Sequence, residues 1–140
     1  MCCMLLLASE VASSWCGVCL VLCVQMIQPI ADAVGIPSHR IFANYILFDG
    51  PHGKGEYNGY DTNQFTCRDG GKARAVQHIK AELGVAGPIV VIGDGITDVQ
   101  AKPPADAVIG YGGVVVRESV REQADWFVED FQVLLDTLEE

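Results

Sequence analysis

The chain has 140 residues, half of them apolar, enough for one hydrophobic core and too few for two. Nine Lys and Arg against 18 Asp and Glu leave a formal charge of −9, which offers no basic field to a nucleic-acid backbone and excludes nucleic acid as a partner. With 19% charged residues and a mean hydropathy of +0.27, the chain is also too apolar for a disordered acidic segment.

Five of the six cysteines (Cys2, Cys3, Cys16, Cys19 and Cys23) crowd the first 23 residues, and only Cys67 lies beyond them. A secreted disulfide framework spreads its bridges over the fold, so this crowding points to a reducing compartment. Residues 1–39 contain no Lys or Arg, so a secretory signal would lack its positive start, and a cytoplasmic location is expected. Residues 11–31 carry no charge, but the strongly apolar run covers only residues 15–24, short of the roughly 20 residues a membrane span needs. No flanking cation sets an orientation either, and no membrane partner is expected. Trp15-Cys16-Gly17-Val18-Cys19 resembles the dithiol of thioredoxins, in which a Cys-x-x-Cys opens a helix after a strand, here residues 5–8. Residues 20–24 are too apolar for the exposed start of such a helix, and a thiol redox protein using Cys16 and Cys19 is the remote alternative.

Further along, apolar residues at 27, 30, 31 and 34 have helical spacing, stopped by Gly35-Ile36-Pro37. Residues 40–48 are β-forming, residues 49–55 are dense in turn chemistry and residues 56–60 alternate, which predicts a β-hairpin with a long tip at Gly50 to Lys54. After Gly70-Gly71, apolar positions 73, 76, 79 and 83 predict a helix over 72–83, ended by Gly84. Ile89-Val90-Val91-Ile92 reads as a central parallel strand covered on both faces and ended by Gly93-Asp94-Gly95. Then come a short helix at 97–102, strands at 107–109 and 114–116, a helix at 118–124, a strand at 126–128 and a closing helix at 131–138. Strands alternating with helices make the fold class α/β, a parallel sheet flanked by helices, with one β-hairpin.

Ligands of open α/β sheets sit beyond the carboxyl ends of the strands, where Asp94 stands. Its flanking glycines allow close approach, and a carboxylate is a hard oxygen ligand suited to Mg²⁺. Asp98, four residues on, stays near if a helix starts at Ile96, and can orient a cation or a lysine; the plainer reading is a helix cap. Lys72 sits at a helix start, where the dipole disfavours a cation, so an anion should compensate it. Arg117 can reach an anion or pair with Glu118 or Glu122 on the surface.

Several blocks in order carry a family resemblance: Ile41-Phe42-Ala43-Asn44, Gly55-Glu56-Tyr57, Gly70-Gly71-Lys72, Ile92-Gly93-Asp94-Gly95-Ile96-Thr97-Asp98, Pro103-Pro104-Ala105-Asp106-Ala107, Ile109-Gly110-Tyr111-Gly112-Gly113 and Ala124-Asp125-Trp126-Phe127. Residues 26–140 resemble the second half of the phosphoserine phosphatase family of the haloacid dehalogenase-like superfamily, and residues 1–25 form an apolar, Cys-rich segment outside the match. The resemblance implies a partial Rossmann-like core without its cap domain, and Mg²⁺-dependent hydrolysis of a small phosphorylated substrate, O-phosphoserine, in serine biosynthesis. It gives Lys72 the role of phosphate-neutralising lysine, Asp94 that of Mg²⁺ ligand and Asp98 that of the acid supporting both. Thr97 and Arg117 fall at positions near the phosphorylated substrate. A homodimer is among the arrangements left open.

The family attacks phosphorus with the first Asp of an Asp-x-Asp motif, and no Asp-x-Asp occurs in these 140 residues. The Ser-Gly-Gly expected near residues 20–22 reads Leu-Val-Leu. The chain alone is therefore expected to show little or no turnover; the alternative reading is a non-catalytic fragment that binds Mg²⁺ or phosphate or pairs with another chain. The strand that would flank residues 89–92 is also absent from the match, leaving an apolar sheet edge. Either residues 1–24 cover that edge or they are an artefact of the gene model.

Overall fold

The computed structural model describes residues 3–8, 15–51, 54–82, 84 and 87–139. Six strands form the main sheet: β1 (Cys3–Ala8), β2 (Trp15–Cys23), β3 (Ile41–Asn44), β6 (Ile89–Gly93), β7 (Ala107–Tyr111) and β8 (Trp126–Val128), in the order β3-β2-β1-β6-β7-β8. A separate antiparallel pair joins β4 (Ile46–Phe48) to β5 (Tyr57–Tyr60). The helices are α1 (Val24–Ala33), α2 (Gly71–Ala81), α3 (Ile96–Val99), α4 (Glu118–Arg121) and α5 (Phe131–Glu139).

The expected parallel sheet is present in two blocks, β2–β3 and β6–β7–β8. Between them lies β1, antiparallel to both neighbours, with Leu6 opposite Gly17 on one side and Val91 on the other. The leading segment thus covers the β6 edge. The apolar ladder of β6 is therefore paired rather than open.

Burial follows the period of each element. Ile89 and Val91 of β6 face one side, where they pack with Ala75, Val76 and Ile79 of α2, Val99 of α3 and Val120 of α4. Ile92 faces the other and packs with Val128 and Leu134 of α5. The register Val18–Leu5–Ile92 carries that second face across β1 to β2, where Ile27 and Ala31 of α1 cover Val18 and Ala43. Helices therefore lie on both faces, and the continuous apolar run of β6 is explained. α1 stops where Gly35 takes φ +75°, and the Ile36 N–H closes back on the Ala31 carbonyl at 2.8 Å.

Three readings need correction. Residues 40–48 are two strands, not one: 41–44 pair with β2 in the main sheet, and 46–48 turn away into the hairpin. Val114, Val115 and Val116 form no strand and are exposed, Val114 by 85%; β-branched composition alone supplies no partner ladder. Residues 16–19 lie in a strand rather than at a helix start, with Cys16 packed against the α1 cluster and Cys19 buried in the α2 cluster. The two thiols therefore point to opposite faces of the sheet and cannot act as a dithiol. Burial, partly offset by the Arg40 charge, also pushes the Cys16 thiol up, away from the thiolate a redox site needs. Residues 52–53 of the expected hairpin tip and Leu83, the expected end of α2, lie outside the described residues. Among the described residues no helix is long and apolar enough to cross a membrane.

Candidate active site

At the carboxyl end of β6 the chain turns sharply into α3, and this turn gathers the site. Gly93 ends the strand at a position where a Cβ would lie 2.1 Å from Cγ of Asp98. Only glycine lets the Asp98 carboxylate fold back over the strand end. There Asp98 is fully buried: Oδ2 accepts the Gly95 N–H at 3.0 Å, and Oδ1 pairs with Nζ of Lys72, itself 2% exposed. Both readings of Asp98 hold together, since it closes the helix start and also orients the lysine. The anion that compensates Lys72 at the start of α2 is thus Asp98.

Asp94 faces a different partner. Nη1 of Arg117 donates to Oδ2 of Asp94 at 2.6 Å and to its main-chain oxygen at 2.8 Å. Arg117 arrives from the loop after β7, so two neighbouring strand ends are tied together across the site. The surface pairing of Arg117 with Glu118 or Glu122 is replaced by this contact.

Beside the Lys72–Asp98 pair opens a cleft of about 530 Å³. Lys72 and Thr97 line it, facing Gly70-Gly71 at the α2 start and the preceding residues Thr66 to Asp69. Gly70 sits at φ +70°, and a Cβ on Gly71 would meet the Phe65 carbonyl oxygen at 2.3 Å, so the pair of glycines is required by the backbone. Thr66 is buried and its hydroxyl donates to Oδ1 of Asn44 at 2.7 Å, fixing this segment to β3. The α2 amides, a buried ammonium and the Thr97 hydroxyl suit an anion.

Lys72, Thr97 and Asp98 thus meet at the cleft, and Asp94 with Arg117 stands at the adjoining strand ends. Residues 66–69, Gln100 and Arg74 did not stand out in the sequence. The one signal for residues 66–69 was the polar stretch leading into Gly70-Gly71.

No family model matches the chain. Bovine phosphoserine phosphatase is 42% identical over 116 residues, covering 83% of this chain and 50% of that protein. The chain is similar to phosphoserine phosphatases. The Drosophila melanogaster phosphoserine phosphatase is 46% identical over 110 residues, covering 79% of this chain and 40% of that protein. A phosphoserine phosphohydrolase-like protein from Francisella tularensis superposes with a TM-score of 0.65 at 27% identity, covering 79% of this chain and 49% of that one. The fold is of the Rossmann-like haloacid dehalogenase type. The chain spans about half the length of the curated phosphoserine phosphatases it matches.

Proposed function

We propose that this chain carries the phosphate-holding half of a phosphoserine-phosphatase-type site, with O-phosphoserine as the substrate its relatives' name supplies, cytoplasmic serine biosynthesis as the setting and Mg²⁺ as cofactor. The observation that carries this reading is the buried Lys72–Asp98 pair opening onto the cleft beside Gly70-Gly71. An ammonium held in place by a buried carboxylate needs no reorganisation when a phosphoryl group arrives. Asp98 positions it, Thr97 offers a hydroxyl donor and the first amides of α2 add the positive end of the helix dipole.

The donor chemistry accepts Mg²⁺ in a limited way. Asp94 is a carboxylate at a strand end, the kind of single anionic ligand that Mg²⁺ combines with waters and substrate phosphate. Among the described residues no group of three or more His, Cys, Asp or Glu side chains gathers to hold a metal. When bound, the ion would neutralise charge on the phosphoryl oxygens. Arg117 holds Oδ2 of Asp94, so guanidinium and cation would share one carboxylate and repel each other, and an Arg117 released from Asp94 is free to turn to the phosphoryl group.

The sequence contains no Asp-x-Asp, so the family's covalent step has no nucleophile in these residues. The 140 residues alone therefore bind phosphate without turning over phosphoserine. Calorimetry with inorganic phosphate and Mg²⁺, beside a phosphate-release assay on O-phosphoserine, tests both halves. Binding weakened at least tenfold in Thr97→Val, with no release, is the expected result. Absence of phosphate binding refutes the site, and release above that of Asp94→Asn refutes the inactivity.

A further inference from the structure

The first turn of α2 contains two cations, Lys72 and Arg74, and no acid, against the preference of the helix dipole. Lys72 is compensated by Asp98. Arg74 is compensated by backbone: Nη1 donates to the Asp69 carbonyl at 2.7 Å, and Nη2 donates to the carbonyls of Phe65 at 3.0 Å and Arg68 at 3.3 Å. One planar guanidinium thus holds three carbonyls of the segment that forms the far wall of the cleft, a task its rigid fork of donors suits and a single ammonium does not. The segment has little slack, because Gly71 packs directly on the Phe65 carbonyl and on Cα of Thr66.

In a trans peptide the C=O and N–H point in opposite directions, and the bonds joining residues 68, 69 and 70 are trans. Drawing the Arg68 and Asp69 carbonyls toward Arg74 turns the N–H groups of Asp69 and Gly70 the other way. We propose that Arg74 is a positioning residue: its three carbonyl contacts fix residues 65–70 so that the Asp69 and Gly70 amides face a phosphoryl group in the cleft beside Lys72. This rests on the reading of that cleft as the phosphate site. Arg74 touches no ligand itself; it acts through the backbone it holds.

The test measures inorganic phosphate affinity of the full chain by calorimetry, with thermal unfolding followed in parallel, for the native sequence, Arg74→Lys, Arg74→Met and Lys54→Met. Lys54 lies in the hairpin connection and controls for lost charge. Expected are a tenfold or greater loss in Arg74→Met, a loss of at least fivefold in Arg74→Lys although its charge remains, and a change under twofold in Lys54→Met. Millimolar guanidinium restores phosphate affinity to Arg74→Met and methylammonium does not, a rescue that a merely stabilising side chain would not give. If Arg74→Met unfolds, Arg74→Lys carries the measurement. Native binding with Arg74→Lys within twofold of it overturns the role of Arg74 and leaves the site reading standing. No phosphate binding by the native chain overturns both.

Discussion

Gly93 shows how a single missing side chain organises the site. Its place in Gly93-Asp94-Gly95 marked a strand end beside a carboxylate, yet the reason for the glycine is Asp98, whose Cγ, Oδ2 and Cβ lie 2.1, 2.4 and 2.6 Å from the position a Cβ would take. The flexible end of a side chain can usually yield to a methyl group, but Asp98 is pinned by Lys72 and by the Gly95 N–H. Gly93→Ala must therefore push the carboxylate off one partner, leaving a buried ammonium or amide without its acceptor. Breaking a buried pair in this way costs about 3–5 kcal/mol. Urea unfolding of Gly93→Ala should show a loss of that order, and a loss under about 1 kcal/mol would mean that Asp98 finds an equivalent position. The Lys72–Asp98 contact itself was half legible: spacing alone placed a carboxylate where it could orient a lysine, and it was the family resemblance that joined Asp98 to Lys72, 26 positions apart.

At the scale of elements, legibility depended on whether composition alone decides the outcome. Ile89-Val90-Val91-Ile92 was readable as a strand because it is apolar on both faces and ended by glycine, and α2 was readable because apolar positions 73, 76, 79 and 83 have helical spacing, Val76 and Ile79 among them packing in the core. The break at Tyr45 was not readable, since residues on both sides favour strands and only the available partner, β2 or β5, separates them. The direction of β1 was hidden for a similar reason: six apolar residues pair equally well either way. β1 nevertheless joins the two parallel blocks, so its ladder is central. Leu6→Pro removes an N–H from a strand paired on both sides, which central strands do not tolerate. It should cost at least about 2 kcal/mol and expose the β2 and β6 ladders to other chains. The checks are the urea midpoint and size-exclusion chromatography; a monomer of native stability would show that β1 is dispensable to the sheet.

Across the whole molecule, the two ends of the sheet have different electrostatics. The carboxyl ends of the strands hold the cleft, while the opposite end is fastened by a device used twice. Oδ2 of Asp106 accepts the Ile89 N–H at 2.7 Å and pairs with Lys80, and Oδ2 of Asp125 accepts the Val108 N–H at 2.8 Å while its other oxygen pairs with Lys102. In each case the aspartate's own N–H bonds back to the same residue's carbonyl, so one residue closes the first rung of a parallel pair. The hydrogen bond from Lys80, then that from Ile89, holds the Asp106 carboxyl below its usual range; Lys102, then Val108, does the same for Asp125. Asp61 is lowered as well, by the Asn63 N–H and then Gln64. A carboxyl lowered in the folded state contributes stability that is fully present above its unfolded value, about 3.9, and is lost as pH falls through the folded value. Stability should therefore hold steady from pH 7 to 5 and decline below about pH 4. The Asp106→Asn, Asp125→Asn double variant, which keeps an acceptor oxygen at each strand start but loses the charge, should be less stable at pH 7 and show a shallower acid limb, the difference shrinking in high salt because both aspartates are exposed. Urea midpoints taken at half-unit pH steps decide it. An acid limb as steep in the double variant as in the native chain would move the acid sensitivity away from these strand starts, with Asp61 the next carboxyl to test.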